Sequence, residues 1–255
     1  MAILRPSFLL PVESRGRERY VYSWEQFVEA ISDFQRAAEA ATNTSAETAG
    51  KTIKIGCSFY WKGTVTIPST LNGLVVDGCN AMINTRTSGM IMFNVLAART
   101  IFRNIIAGHD ISPVTGSPLI SGTQPWGGMF TGTLTFVRVE DCSITGATFI
   151  DATMNGSIVS GCNCNGLFVS PTTWVDISSG GKNIFRGNYM TATSAEAFVV
   201  AGSGKNVISS NVLGGSGIIT TASSGGNTVL GNTNAGTLTL HATDVGDSAA
   251  DNFNT

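Results

Sequence analysis

The residues best equipped for chemistry in this 255-residue chain are few and scattered. Cleaving a polysaccharide by hydrolysis needs two carboxyl groups roughly 5–10 Å apart beside a groove. Glu140 with Asp141, or Glu140 with Asp77, is the best pair on offer. Consecutive strand residues face opposite sides, which weakens Glu140/Asp141. Elimination would want a base beside cations that hold a uronate, and Arg103, Arg138 and Arg186 are the cations available. Solvated surface charge is the simpler reading of all of these. His109-Asp110 is either an acid–base couple or two exposed neighbours in a glycine-rich loop. Trp126, in QPWGG, either stacks on a sugar or plugs a subunit contact, and the contact is the preferred reading. Cys162 and Cys164 form a lone C-x-C, whereas zinc needs about four ligands. With only two histidines in the chain, these cysteines read as small interior hydrophobes. No catalytic residue, metal or cofactor is therefore expected, and Trp126 and Glu140 stand as candidate glycan contacts.

Those side chains must be positioned by a chain of unusual composition. Charged residues make up 13%, about half the usual globular share, and the formal net charge is −2. A slightly acidic balance with scattered basic residues excludes a nucleic-acid binder by charge. No run of about 18 apolar residues occurs, so no membrane-spanning helix is expected. The first 23 residues lack the features of a signal peptide, being broken by Pro6 and Pro11. Five cysteines, an odd number, do not suggest a secreted disulfide scaffold. Synthesis in a cytoplasm is the simpler reading.

Residues 1–22 read as an extended arm with no sustained period. Arg5, Arg15, Arg17 and Arg19 make it basic, and Phe8, Leu9, Tyr20 and Tyr22 give it apolar anchor points. Residues 23–50 hold one amphipathic helix and a polar loop. Ser23 with Gln26 fits a capping box, and Trp24, Phe27, Val28, Ile31, Phe34 and Ala38 share a face.

Residues 51–240 carry a repeat. An apolar residue, a gap of two and then Cys or Asn recurs, and its last members are Cys79, Asn104, Cys142, Cys162, Asn188, Asn211 and Asn232. The intervals of 25, 38, 20, 26, 23 and 21 residues signal a stacked coil. An apolar column two residues further on can face inward only if the chain turns a corner between them. Glycine precedes Cys79, Cys162, Asn188 and Asn232, where such a bend would use it. Strand, corner and strand per coil give a parallel β-helix, with Asn amides bonding coil to coil up one corner. Asn183, Asn206 and Asn227 suggest the same at a second corner. The 38-residue interval is either an insertion over 108–132 or a coil hidden there with Thr123 in the ladder. Residues 241–255 read as a tail whose Asp244, Asp247 and Asp251 keep the last edge from pairing onward.

The unit made by the helix, TIKI, GTVTIP and GLVVDGCNAMI resembles the start of the right-handed β-helix superfamily of pectate lyases and phage tailspikes. The fold expected is all-β: a single-stranded right-handed parallel β-helix of at most about eight coils, with an N-terminal capping helix and an extended arm. The short arm, helix and rod are most similar to phage virion proteins. That resemblance implies a homotrimer in the virion, made in the host cytoplasm and fixed to capsid or tail proteins by its arm. A capsid decoration protein or small spike is expected. The alternative is a spike that binds or cleaves host surface glycan as a polysaccharide hydrolase or lyase.

Overall fold

The computed structural model describes residues 17–40, 50–85, 90–109, 128–145, 148–165, 173–192, 196–200, 203–215, 219–221, 226–234, 248–250 and 253–254. Apart from the helix Trp24–Ala40 and a short 3-10 turn at Ser69–Leu71, the elements are strands. They lie in three sheets of ten, eight and nine strands. Every pairing is parallel, and each strand pairs mainly with its equivalent one coil on, so the chain is a parallel β-helix. At about 4.8 Å per strand, ten strands give a rod roughly 43 Å long.

The ten-stranded sheet shows why the sequence winds this way. In its middle and later coils, three-residue strands run between two residues of left-handed backbone conformation. The pairs are Arg99/Asn104, Phe136/Asp141, Gly156/Gly161, Lys182/Gly187, Lys205/Ser210 and Gly226/Gly231. Each left-handed residue turns the chain through a corner, and the residue after it points inward. The segment KNIFRGN is one such unit. Lys182 and Gly187 form corners, Asn183 and Asn188 are buried, and Phe185 fills the bore.

Two buried Asn ladders run up these corners. Asn188 Nδ2 donates to Asn211 Oδ1 at 3.0 Å, and Asn211 Nδ2 donates to Asn232 Oδ1 at 2.9 Å. Asn183, Asn206 and Asn227 are joined likewise at 3.0 and 2.9 Å. Each amide oxygen also accepts the backbone N–H of the preceding coil, as Asn211 Oδ1 does from Asn188 at 3.0 Å. A second bond from Nδ2 reaches a carbonyl further back, such as Asn211 to Phe185 at 3.1 Å. Upstream, Ser157 continues the second ladder, its Oγ accepting from the Val137 N–H at 3.0 Å.

The first half of the rod is filled differently. Phe27, Trp61, Phe93, Phe102, Phe130 and Phe149 form a chain of rings with successive centroids 4.7–5.8 Å apart. Phe27 enters it from the helix, so the helix face closes the first end of the bore. Phe27, Ile31 and Ala38 are buried there, and Trp24, Val28 and Phe34 pack beside them. The cap forms as expected: the Gln26 N–H donates to Ser23 Oγ at 3.2 Å.

The strand register corrects several expectations. Val76 pairs with Phe102, not Ile101, and Phe102 with Val139. The ladder position in that coil is therefore Ile105, and Asn104 is the left-handed corner beside it. Cys79 is also off the ladder. Its corner holds four residues between Asp77 and Met82 where the next coil has two, so Ala81 stands in the column and Cys79 is exposed. Ile101–Arg103 pairs directly with Arg138–Glu140, so the 38-residue interval is one coil with an insertion and no further step of the ladder stands between those strands. Thr123 itself lies outside the described residues.

The rod is also longer than expected at both ends. Glu18–Val21, assigned to the arm, is the first strand and pairs with Thr52–Ile55. In the tail, Ser248–Ala250 and Phe253–Asn254 pair with Thr228–Leu230 and Thr233–Asn234 and form a further coil. Asp244, Asp247 and Asp251 lie outside the described residues.

The ladders predict an asymmetry. Asn211→Cys strips the Asn188 N–H of its acceptor in a dry corner and should destabilise by about 2–3 kcal/mol. Cys162→Asn meets the Val139 carbonyl and the Asn188 amide in the geometry of an added step, and should cost less than about 1 kcal/mol. Urea denaturation of both variants checks this, and equal losses would contradict the ladder's role.

Candidate functional site

The carboxylates singled out for chemistry sit in an outward column of the ten-stranded sheet, and their neighbours neutralise them. Register places Lys54, Asp77, Arg103 and Glu140 side by side on consecutive coils, with alternating sign. Arg103 Nε donates to Asp77 at 2.9 Å, Lys54 pairs with Glu18 at 2.9 Å, and Arg138 is paired with Glu140. Asp77 is only 7% exposed. Burial pushes its carboxyl up, but the Cys79 N–H, the Asn104 amide and Arg103 outweigh that and hold it below the ordinary value. A guanidinium therefore separates Asp77 from Glu140, and they do not form an acid–base pair. Asp141 is an exposed corner residue.

Other candidates divide between described and undescribed residues. Arg5, Phe8, Leu9, Arg15, Asp110 and Trp126 lie outside the described residues. Arg17 is exposed at the start of the first strand. Arg19 pairs with Glu29 at 3.0 Å and also with Asp33, so it fastens that strand to the helix. Tyr20 and Tyr22 are exposed, with Tyr22 lying over Gly56 and Lys54 Nζ 5.4 Å from the Tyr20 ring. All five cysteines are free. Cys142 and Cys162 occupy the ladder column. Burial, and then contact with Cys162, pushes the Cys142 thiol well above its ordinary value, opposed by the Ile105 N–H. Burial does the same to Cys164. Such thiols pack and do not react. Among the described residues no three His, Cys, Asp or Glu side chains gather as a metal site, and no helix is long and apolar enough to cross a membrane.

Two further features escape the sequence pattern. On the outer face of the eight-stranded sheet, Asp151 and Asp176 are cross-strand neighbours. Burial, and then the Asp151 charge, raises the Asp176 carboxyl above its ordinary value. At the corner between the eight- and ten-stranded sheets lies an open cleft of about 470 Å3. Phe136, Lys182 and Lys205 line it from left-handed corners of one column, with the Gly156 corner between Phe136 and Lys182, and Asn155 joins them. Its floor is bare backbone. A side chain at Gly156 would strike the Phe136 ring at 2.7 Å, and one at Gly180 the Met154 carbonyl at 2.0 Å. The matching Asp in IDATMN and VDISSGG was the one sequence signal for the first feature. The cleft had none, because its residues come from the corner columns of four coils.

This geometry defines the class as a parallel β-helix rod with a helical cap. No family model matches the chain, and no curated protein matches it significantly.

Asp176 generates a prediction of definite sign. Folding keeps its carboxyl protonated to higher pH than the unfolded chain does. The stability carried by the neutral form is full below about pH 4 and is lost as pH rises through the folded-state value. Asp176→Asn should therefore raise the thermal midpoint at pH 7 and lose that advantage toward pH 3–4. A midpoint gap that is absent at pH 7, or grows on acidification, would contradict the assignment.

Proposed function

We propose that this protein is a non-enzymatic virion component: a short, stiff rod fixed to a phage particle by its N-terminal arm, as a capsid decoration protein or small spike. The observation that carries this reading is the placement of the first strand. Residue 17 enters the rod at its helix-capped end, because Glu18–Val21 is the edge of the ten-stranded sheet and pairs only onward. The sixteen preceding residues, apolar with Arg5 and Arg15 among them, join the rod through residue 17. A rod tethered at one end projects its long axis away from a shell. The charge ladder supports a passive flank, since the best carboxylates there are paired.

The homotrimer implied by the resemblance to phage spikes has a surface available. Tyr189, Val212 and Leu230 are all exposed, and they surround the corner Gly187–Ser210–Gly231 near the far end of the rod. Three rods packed about that corner would cover these side chains. The reading that host glycan is held by Trp126 and Glu140 draws less support, because Glu140 is already paired with Arg138.

Two experiments test this. Deleting residues 1–16 should leave a folded rod that no longer cosediments with particles. Deleting 1–22 should also lower the thermal midpoint, because it removes the first strand and the Arg19 pairs. Undiminished attachment of the shorter deletion would overturn the anchor. Light scattering should report a trimer that Tyr189→Lys with Val212→Lys dissociates, and a monomeric parent protein would exclude it.

A further inference from the structure

We infer that the first strand, Glu18–Val21, is a releasable strap, held to the rod by charge and able to leave it while the other coils stay folded. Its place in the ten-stranded sheet sets it apart. The inward column of that sheet begins Ile53, Val76, Phe102 and Val139, and each of these is buried and apolar. Register puts Arg19 opposite Ile53, so the column ends on a guanidinium. Of the strand's four residues only Val21 is buried. As the edge of the sheet, the strand also has a neighbour on one side only.

Charge supplies what packing does not. Arg19 pairs with Glu29 at 3.0 Å and with Asp33, which Arg36 shares. Lys54 pairs with Glu18 at 2.9 Å, and its Nζ lies 5.4 Å from the Tyr20 ring. These pairs reach water, the Arg19 side chain being 29% exposed and that of Glu29 62%. Ion pairs so placed are individually weak and are screened by salt. Departure of the strand would disturb little else. Ser23 Oγ caps the helix and the Tyr22 N–H donates to Gln26 Oε1 at 2.7 Å, so the helix keeps its own start. Phe27 on that helix still closes the bore. An edge with so few buried apolar contacts opens at low free energy. Release would add residues 17–21, roughly 17 Å of extended chain, to the arm. If the arm attaches the rod as proposed, that slack lets the rod tilt and frees Arg19 and Tyr20 for the same partner.

Hydrogen exchange of the full chain at neutral pH, read by mass spectrometry at residue resolution, tests this. The Thr52 and Gly56 N–H groups donate to the Arg17 and Val21 carbonyls at 2.6 and 2.8 Å and report the strand's presence. Those of Ile158 and Ile184, bonded to Val137 and Ser157 in mid-rod, report the rod as a whole. Raising salt to about 1 M, where the screening length is about 3 Å, should lower the protection of Thr52 and Gly56 by about tenfold. Ile158 and Ile184 should not change. Glu29→Gln/Asp33→Asn should have the same effect at low salt and remove most of the salt response. Lys62→Gln, which breaks the Glu25 pair on the same helix, should do neither. The inference is overturned if Thr52 and Gly56 stay as protected as Ile158 and Ile184 under every condition. It is also overturned if they exchange fast but respond to neither salt nor the double variant, if Lys62→Gln acts like that variant, or if all four lose protection together. The measurement uses the free protein, so this inference and attachment through residues 1–16 fail separately.

Discussion

The corner is the constraint on which the whole rod depends. Along a strand, the parallel neighbour satisfies every backbone N–H and carbonyl. At a bend the ladder breaks, and the residue after the left-handed turn points its own N–H along a dry interior wall. An unpaired group there is expensive, and the expense recurs at every coil. The Asn side chain solves the problem locally. Its Oδ1 takes the N–H from the coil before, and its Nδ2 returns a bond to the next amide and another to a carbonyl behind. Where Asn is absent a weaker acceptor stands in, such as the Ser157 hydroxyl facing Val137 or the Cys142 sulfur facing Ile105.

The two halves of the rod meet this constraint with different resources. Toward the helix, six rings fill the bore, and the corners carry Ile105, Cys142 or Cys162. Edge-to-face and offset ring pairs contribute about 0.5–1.5 kcal/mol each beyond burial. Toward the far end the bore residues shrink to Phe185, Ile208 and Val229, and both corners become Asn. Loss of apolar filling thus coincides with gain of polar bonding. The closed end is held by packing and the other by directional hydrogen bonds, which also fix the register of each coil on the last.

This division explains what was readable in the sequence. Asn188, Asn211 and Asn232 stand out because a buried ladder tolerates one residue type and forces a constant spacing. The same pattern misplaces Asn104, because apolar residues can serve in the column. Phe102–Ile105 satisfies the packing, while Ile101–Asn104 merely satisfies the pattern. Cys79 deceived for another reason: two extra residues at a corner are invisible when the interval to the next match stays near 25. Glu18–Val21 was hidden because it forms a coil only through pairing with Thr52–Ile55, across the whole helix. The cleft was hidden in the same way, its lining gathered from coils about 20–25 residues apart in sequence.

The corners also separate what the chain must keep from what it is free to vary. The inward residue after each turn is fixed by the buried N–H. The left-handed residue itself projects outward and bears no part of the core. Glycine is the least strained choice there, and a side chain in that conformation costs roughly 1–2 kcal/mol. The chain accepts that cost at Phe136, Lys182 and Lys205, while Gly156 and Gly226 in the same column show that it need not. Strain tolerated where relief stands one coil away points to side chains retained for what they do outside the rod. A repeat this regular leaves few such positions, and three of them converge on one cleft.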